Sequence, residues 1–254
     1  MTPKISIITI TFNAERFLAK TIDSILAQTV HDFEYIIVDG KSKDATVEII
    51  QDYERRIQDS ERPFPIRWVS EPDKGLYDAM NKGIKMANGD FVWFMNAGDK
   101  IYNEHTVETI LKNLEVRPTA DVIYGQSLII DENDNPLGER HKIAPKILIR
   151  KSLLNGLVVC HQSILVRKNI APEYDLSYKI SADYDWTCKV LTNSKNNLYI
   201  DEYLSRFMTA GVSSTQRKKA WKERYMIMKK HFGLCATLWA HFKIVVRYPF
   251  TTKY

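Results

Sequence analysis

Short runs of apolar, often β-branched residues recur through the first 115 positions of the chain, and a longer amphipathic segment follows each of them. Runs of this kind predict strands that are buried on both faces. The four predicted strands are ISIITI (5–10), EYIIVD (34–39), IRWVS (66–70) and DFVWFM (90–95). Apolar residues recur every three or four positions in the longer segments, which predicts helices. These predicted helices lie within 14–29, 45–57, 75–87 and 106–114. The alternation predicts a parallel α/β sheet with helices on both faces.

Polar segments follow all four predicted strands. They are Thr11–Asn13, Asp39–Asp44, Glu71–Gly75 and Asn96–Asp99, and three of them contain carboxylates. Ligands of open α/β sheets bind beyond the carboxyl ends of the strands. We therefore expect a ligand site at this edge of the sheet.

The pattern changes after residue 120. DVIYGQSLIID (121–131), with the turn ENDN and a proline after it, predicts strands around a turn, and HQSILV (161–166) predicts another strand. The stretch 137–160 is ambiguous, and from residue 216 the chain is basic and rich in aromatic residues. With 254 residues, 44% hydrophobic and 26% charged, the chain fits one large domain, alone or with a C-terminal appendage.

The glycine pattern excludes two common nucleotide-binding classes. A dinucleotide dehydrogenase needs glycines at the first strand–helix turn, and the first glycine here is Gly40; a P-loop GxxxxGK[ST] does not occur. Three scattered cysteines without a CxxC pair predict neither a disulfide framework nor a zinc site. The N-terminus becomes polar after a handful of apolar residues, which is not typical of a signal peptide and predicts a cytoplasmic catalytic body.

Two carboxylates flank the loop after the second predicted strand. Asp39 ends the apolar run, where it is well placed to accept hydrogen bonds from a base or a ribose. Asp44 lies just before the next helix. It is compatible with an N-cap and with a functional loop, and the sequence does not choose between them.

Three stretches together resemble the family-2 inverting glycosyltransferases of the GT-A fold. They are TITFNAERFLAKTIDSILAQT (9–29), VDGKSKDAT (38–46) and EPDKGLYDAMNKGIKMANGDFVWFMNAGD (71–99). The similarity extends over roughly residues 4–205. It implies a Rossmann-like, mostly parallel sheet flanked by helices, as in nucleotide-diphospho-sugar transferases. The implied activity is transfer of a hexosyl or N-acetylhexosaminyl group from a nucleoside diphosphate donor.

The resemblance implies a set of donor-binding residues. They are Thr11, Asn13, Asp39, Asp44, Asp73, Lys74, Gly75, Asp78, Asn81, Asn96, Ala97 and Asp99. Asp39 resembles the acid that reads the base, most often uracil, and Asp44 is a weaker member of the same loop. Asp78 and Asn81 also fit a simpler interpretation, because positions i and i+3 share one polar face of a surface helix.

FMNAGD (94–99) occupies the place of the family's acidic metal-binding motif. The usual motif has acids where this chain has Asn96 and Gly98, and only Asp99 is retained. Mg²⁺ keeps several waters and takes one or two carboxylates plus substrate phosphates, so one acid can suffice. We expect Asp99 to bind Mg²⁺ or Mn²⁺, with His161 as a further candidate ligand and Lys74 or His161 as alternative sources of positive charge.

The segment KISADYDWTCKV (179–190) resembles the place where the family presents its catalytic base. An inverting transfer is a single displacement in which a side chain must take the proton of the acceptor hydroxyl. Asp183 is the predicted base, with Ala182 where the family often has Glu. Asp185 is either a partner behind the base or a helix-start residue. Trp186 either stacks on an acceptor sugar or belongs to the core, and His161 either binds the donor or metal or is a structural histidine.

The predicted organisation is a catalytic domain over 1–215, with a donor half (1–115) and an acceptor half (116–215), and a basic amphipathic extension over 216–254. Its cationic residues near the start are Arg217, Lys218, Lys219, Lys222, Arg224, Lys229 and Lys230. Such a segment either lies on anionic lipid or packs on the catalytic body as a solvated helix. No nucleic-acid module is recognisable. The expected partners are a nucleotide sugar, a glycan or polyprenyl-linked acceptor, and the inner face of the membrane.

Two rival functions stay open on the sequence. A sugar-phosphate nucleotidylyltransferase would need a Gly- and Arg-rich phosphate loop near residue 10, where the chain has TFNAERFL. An inactive sugar-nucleotide-binding scaffold is favoured by the missing acids at positions 96 and 98 and disfavoured by the segment SADYD. The biological setting implied by the resemblance is synthesis of capsule, O-antigen or exopolysaccharide.

Overall fold

In the computed structural model, residues 3–209 and 216–247 are described, with backbone alone at 217 and 244–247. The first 116 residues alternate strand and helix as the pattern predicts. The elements are β1 (Ile5–Thr11), α1 (Leu18–Leu26), β2 (Phe33–Asp39), α2 (Thr46–Gln58), β3 (Ile66–Ser70), α3 (Leu76–Met86), β4 (Phe91–Phe94), β5 (Lys100–Ile101) and α4 (Thr106–Val116). All four predicted strands and all four predicted helices are present.

The second half adds strands that the sequence pattern only partly predicts. They are β6 (Val122–Ile130), β7 (Pro136–Glu139), β8 (Ile164–Arg167) and β9 (Asn197–Met208), with α5 (Ala182–Asn193) between the last two. The ambiguous stretch contains β7 and a 3-10 turn at Arg150–Asn155. The predicted strand at 161–166 begins at Ile164, because His161–Ser163 form a 3-10 turn first.

The strands form one sheet in the order β3-β2-β1-β4-β8-β6-β9-β5, and β7 pairs with β6. The first four strands are parallel. Beyond β4 the sheet is mixed, since β8 is antiparallel to both β4 and β6 while β9 is parallel to β6. The α/β expectation is confirmed, and the parallel part is the donor half of the predicted domain.

Side chains of the parallel strands alternate between two cores, one on each face of the sheet. Ile8 and Ile10 of β1 pack in the cluster that includes α3, whereas Ile5 and Ile7 pack in the cluster that includes α1 and α2. Every residue of β1, β2 and β4 is buried. This double burial explains why those strands read as continuous apolar runs in the sequence.

Two helices, α6 (Arg217–Phe232) and α7 (Leu234–Arg247), form the described part of the predicted C-terminal extension. They meet at Gly233, whose φ of 81° favours glycine. Ile227 and Met228 of α6 join the same core cluster as α3, so the extension packs on the body of the protein. The predicted boundary at 215 and the last seven residues of the extension, 248–254, lie outside the described residues. Within those that are described, no helix is long and apolar enough to cross a membrane.

Candidate active site

Asp39 lies buried at the carboxyl end of β2, in register with Thr11 of β1. Its carboxylate accepts hydrogen bonds from the Ser42 backbone N–H (2.9 Å), the Ser42 hydroxyl and the Ser70 hydroxyl (2.6 Å). Asn13, with φ of 48°, accepts the Lys43 N–H through its side chain (2.9 Å). The loops after β1, β2 and β3 are thus joined around one buried carboxylate, as the sheet-edge rule predicts.

Asp44 is bonded to the start of α2. Its carboxylate accepts the N–H (3.1 Å) and the hydroxyl (2.5 Å) of Thr46, the first residue of the helix, and the N–H of Glu15 (3.1 Å). Burial acts to raise the pKa of Asp44, but these hydrogen bonds outweigh it and lower the pKa. The N-cap position itself is Ala45, so Asp44 bonds the first N–H of α2 from the residue before the cap. Its place in the donor loop stays a prediction.

The segment Asp73–Gly75 folds back on the loop after β2. Asp73 accepts the Gly75 N–H (2.8 Å), and a β-carbon on Gly40 would lie 2.5 Å from an oxygen of Asp73. Gly75 has a φ of 113°, which a residue with a β-carbon would adopt only with strain. Asp78, in the first turn of α3, accepts the Lys74 N–H (2.9 Å) and so orders the same segment.

Phe12 is a candidate that the sequence reasoning missed. Its ring is 61% exposed and lies close to Gly40, between the loops after β1 and β2. An exposed aromatic ring directly after a fully buried strand breaks the burial pattern, but this break is visible only in the structure, because in the sequence Phe12 simply extends the apolar run. Rings in such positions can stack on a planar base.

Asn81 and Tyr77 connect α3 to the acceptor half. The Asn81 amide is buried and exchanges two hydrogen bonds with the backbone of Tyr174 (3.0 and 2.7 Å), so both its oxygen and its nitrogen are already bonded within the protein. The Tyr77 hydroxyl donates to the Ile180 carbonyl (2.7 Å) and reaches the Asp183 carboxylate at 3.4 Å. The predicted base is therefore held against the helix that begins at Gly75.

The turn Asn96–Asp99 follows β4 and closes with a hydrogen bond from the Asp99 N–H to the Asn96 carbonyl (2.9 Å). Thr21 of α1 supports it, since its hydroxyl accepts the Gly98 N–H (2.9 Å) and donates to the Asp99 carbonyl (2.8 Å). Gly98 has a φ of 101°, and a β-carbon there would collide with the Met208 side chain. An acid at position 98 would therefore strain the backbone at this φ and would require the end of the Met208 side chain to move.

Asp99 is 5% exposed and accepts the Met208 N–H at 3.0 Å. Burial raises its pKa to about 7, against the lowering effect of hydrogen bonds from Met208 and Gln162. The Asn96 side-chain oxygen and the Thr11 hydroxyl at the same sheet edge are buried without a partner. Unpaired buried oxygens of this kind are costly and mark places where a ligand or ion completes the bonding.

The residues of the turn Asn96–Asp99 fit a divalent cation that takes most of its ligands from the substrate and from water. No group of three or more His, Cys, Asp or Glu that could hold a metal occurs in the described part of the chain. The oxygens of Asp99 and Asn96, on one turn, are the ligand type that Mg²⁺ and Mn²⁺ take. Such a site would keep waters and depend on phosphate oxygens for the rest of its coordination.

The raised pKa of Asp99 predicts a pH-dependent stability difference between the wild type and Asp99→Asn, without metal or nucleotide. Because the folded pKa of about 7 exceeds the ordinary 3.8, folding favours the protonated acid, and stability is lost as pH rises through that window. We expect the asparagine variant to gain on the wild type from pH 5 to pH 8, by up to about 3 kcal/mol. Urea unfolding at each pH measures this gain.

The two proteins are compared because His161 also makes stability depend on pH, in the opposite direction. Its lowered pKa makes stability fall as pH decreases, and this contribution cancels when the free energies of unfolding of the two proteins are subtracted. A stability difference that stays constant from pH 5 to pH 8 would show that Asp99 does not titrate near 7.

Asp183 is half-buried in the first turn of α5. Its carboxylate accepts the Tyr184 N–H at 2.9 Å. Burial raises its pKa, while that N–H, the charges of Arg224 and Arg140, and Tyr77 act in the opposite direction. A carboxylate with a raised pKa is a stronger proton acceptor than an ordinary aspartate, which suits a general base.

Asp185 faces away from Asp183, into an ion-pair network. It is fully buried and contacts Lys189 (2.7 Å), Lys230 (3.0 Å) and His231 (2.7 Å). Although burial opposes it, these partners hold the pKa of Asp185 far below its usual range. Asp185 thus lies in the first turn of α5, where it attaches α6 to this helix, and its role as a partner of the base stays a prediction.

His161 and Trp186 lie under the site. His161 is bonded through Nε2 to the Tyr174 hydroxyl (2.7 Å), its Nδ1 is buried without a partner, and burial lowers its pKa to about 4. Trp186 is 1% exposed, stacks on Tyr174 and donates its indole N–H to the Pro172 carbonyl (2.7 Å). A neutral His161 presents only Nδ1 for a ligand, and Trp186 belongs to the core.

The sheet order, the loops at its carboxyl edge and the helices on both faces define the GT-A type of α/β fold. The sequence profile of glycosyl transferase family 2 matches residues 6–174, well over half of the chain. The chain belongs to this family and is a glycosyltransferase. This confirms the resemblance seen in the sequence.

A relative in sequence agrees with this assignment, and two solved structures share the fold. A PGL/p-HBAD biosynthesis glycosyltransferase of Mycobacterium bovis is 31% identical over 195 residues, which are 75% of this chain and 71% of the relative. Residues 1–349 of S. aureus TarS in complex with UDP-GlcNAc align with a TM-score of 0.71 at 17% identity, covering 98% of this chain and 76% of that one. Mannosyltransferase PcManGT from Pyrobaculum calidifontis, in complex with GDP-Man and Mn²⁺, gives 0.64 at 12% identity, covering 100% and 77%.

Proposed function

We propose that the protein transfers one sugar, with inversion, from a nucleoside diphosphate sugar to a glycan or lipid-linked acceptor. The observation that carries this proposal is the position of Asp183. A carboxylate with a raised pKa is held by Tyr77 against α3, and α3 begins directly after the loop Asp73–Gly75 at the ligand edge. One proton acceptor beside a donor edge is what a single displacement requires.

Binding of the donor is assigned to the loops that Asp39 joins. Asp39 and the backbone near Thr11 and Asn13 would face the base and ribose, and the exposed ring of Phe12 would stack on the base. A UDP-sugar is the favoured donor, because TarS was solved with UDP-GlcNAc; PcManGT, solved with GDP-Man, makes a GDP-sugar the next choice.

The leaving diphosphate is assigned to the turn Asn96–Asp99. A divalent cation bound by Asp99 and Asn96 would supply electrostatic stabilisation of the departing phosphate oxygens. Lys74, with its exposed position beside Gly75, is a second source of positive charge at the same edge. Asp183 would take the acceptor proton, so that the hydroxyl oxygen attacks as the bond between sugar and diphosphate breaks.

The acceptor side is assigned to residues 116–215 and to the helices that pack on them. The two C-terminal helices expose large apolar side chains, namely Trp221, Leu238, Trp239 and Phe242. Lysines accompany them, and Lys243 lies 5.3 Å from the ring centroid of Trp239. Aromatic residues with lysines are typical of a surface that rests on anionic lipid, which supports a lipid-linked acceptor in cell-surface polysaccharide synthesis.

A donor screen tests the proposal. We expect one of the UDP-, GDP- or dTDP-sugars to raise the melting temperature, because a ligand that binds only the folded state stabilises it. The same donor should be hydrolysed slowly with Mn²⁺, and Asp99→Asn should lower that rate about 10²-fold. Asp90→Asn is the matched control, since Asp90 is a surface residue paired with Lys4.

The screen also separates the two rivals. Donor binding without any turnover or transfer would favour the inactive scaffold. Release of pyrophosphate from a nucleoside triphosphate and a sugar phosphate would favour the nucleotidylyltransferase. Either result would contradict the proposed function.

A further inference from the structure

Three cationic side chains converge on one turn beside the predicted base. We call Arg140, Lys142 and Arg224 the cationic cluster. Arg140 donates to the Leu157 carbonyl at 2.8 Å. Lys142 Nζ and Arg224 Nη2 lie 2.5 and 3.7 Å from the position that a β-carbon on the adjacent Gly156 would occupy. The segment after β7, with Arg140 and Lys142, and helix α6, with Arg224, thus bring three positive charges to the turn at Gly156.

The cationic cluster is not neutralised by direct ion pairs, although the charges of Arg224 and Arg140 act on Asp183 from a greater distance. None of its members forms an ion pair within residues 3–209 and 216–247. The Arg140 Nη1 is buried without a hydrogen-bond partner. Burial together with the charges of Arg224 and Arg140 lowers the pKa of Lys142 to about 8. A group of like charges in this state is costly, and an anion bound among them would relieve both the repulsion and the unpaired donor.

The position of the cationic cluster indicates which substrate it serves. The charges of Arg224 and Arg140 act on Asp183. The pKa of Asp99, at the predicted donor edge, is shifted instead by burial and by hydrogen bonds from Met208 and Gln162. Arg140 also lines a cavity of about 320 Å³ with Gln126, Tyr199 and Tyr203. Two carboxylates of this cavity are already bonded to those rings, since the Tyr203 hydroxyl donates to Glu139 and the Tyr199 hydroxyl to Asp201, and Lys146 adds a second positive charge. Tyrosine rings and an amide beside a cation are suited to a sugar that carries a charged group.

We infer that the cationic cluster binds a phosphate group of the acceptor next to the hydroxyl that is glycosylated. Guanidinium and ammonium donors directed at one point match the oxygens of a phosphate better than those of a neutral sugar. The inference rests on the proposed function, because the acceptor side is defined by Asp183 as the base. It narrows the acceptor to a phosphorylated glycan or a lipid phosphate.

Phosphate binding can be measured without turnover. The full chain is saturated with UDP, or with the nucleotide that the donor screen selects, and inorganic pyrophosphate is titrated by calorimetry. We expect binding that persists under saturating nucleotide. Lys142→Gln and Arg224→Gln should each weaken it about tenfold or more, as expected for loss of a charge-assisted hydrogen bond. Lys151→Gln removes an exposed charge from the neighbouring 3-10 turn and should leave it unchanged.

Three outcomes would overturn the inference. The first is that pyrophosphate does not bind under saturating nucleotide. The second is that Lys151→Gln weakens pyrophosphate binding as much as the cluster variants do. The third is that the Lys142 and Arg224 variants lose nucleotide affinity, which would assign the cationic cluster to the donor. Failure of the proposed function is distinct, because it appears as absent donor binding or turnover in the wild type.

Two further arms distinguish the sources of the phosphate. Wild type and Lys142→Gln are compared for transfer to polyprenyl phosphate in neutral phosphatidylcholine vesicles and to a soluble glycerol phosphate oligomer. We expect one of the two to be an acceptor whose use falls about tenfold in the variant. Equal transfer by both proteins to every acceptor used would contradict the inference.

Discussion

Replacing Asp183 by Asn is expected to abolish sugar transfer while leaving donor binding nearly intact. The amide has almost the same shape and keeps an oxygen for the Tyr184 N–H, but it cannot take a proton. Loss of a general base costs about 10²- to 10⁴-fold in rate. Transfer is measured with the donor and acceptor from the screens above, and donor affinity by calorimetry.

The control for this prediction is Glu173→Gln, which neutralises an exposed carboxylate paired with Lys85 on the surface. In the wild type, kcat/KM should rise with pH through a pKa above the ordinary 3.8 of aspartate, because burial raises the pKa of Asp183 and the base acts when deprotonated. If Asp183→Asn lost donor affinity to the same extent as transfer, another residue would be the base.

Glu223→Ala is expected to produce the largest loss of stability. Glu223 is buried in α6, and its carboxylate accepts three consecutive backbone N–H groups, from Lys179, Ile180 and Ser181, each at 2.9 Å. Removing it leaves three N–H groups without an acceptor, at about 1 to 3 kcal/mol each. We expect a loss of about 3 kcal/mol or more in the free energy of unfolding.

The same substitution should reduce transfer beyond the loss of folded protein. The segment that Glu223 holds ends one residue before α5, and Asp183 follows in the first turn of that helix. A displacement of the base by about 1 Å can cost about 10²-fold in rate. Urea unfolding and transfer per folded molecule are measured for Glu223→Ala and for Lys222→Ala, an exposed neighbour. Wild-type transfer by the folded Glu223→Ala protein would show that this carboxylate holds only the helix.

The parallel half of the fold follows from local patterns. Parallel strands that are buried on both faces have uninterrupted apolar sequences. Hydrogen bonding between neighbouring parallel strands places their carboxyl ends at the same edge of the sheet, as it does for Thr11 and Asp39. For that reason the sequence alone predicted correctly that these loops lie together at one edge of the sheet.

What could not be predicted depends on contacts between distant parts of the chain. Asp99 is buried by Met208, which lies 109 positions further on. Glu223 reaches residues more than 40 positions earlier in the chain. Neither contact has a periodic signature, because packing of separate elements creates it. The two-residue strand β5 is too short to carry a pattern. Strand β8 was predicted, but its antiparallel place between β4 and β6 again depends on contacts between distant segments.

The two positions of the turn that lack the usual acids, 96 and 98, differ in how easily each could carry one, because position 98 is a glycine. Position 96 already carries a side chain of aspartate's size, and its oxygen has no partner, so a carboxylate there would need no rearrangement of the backbone. At position 98 the φ of 101° would strain any residue with a side chain, and the end of the Met208 side chain would have to move. A second acid is therefore accommodated without strain at position 96 and only with strain at position 98. The shape of the turn thus allows two carboxylates in one unstrained arrangement only, Asp99 together with an acid at position 96.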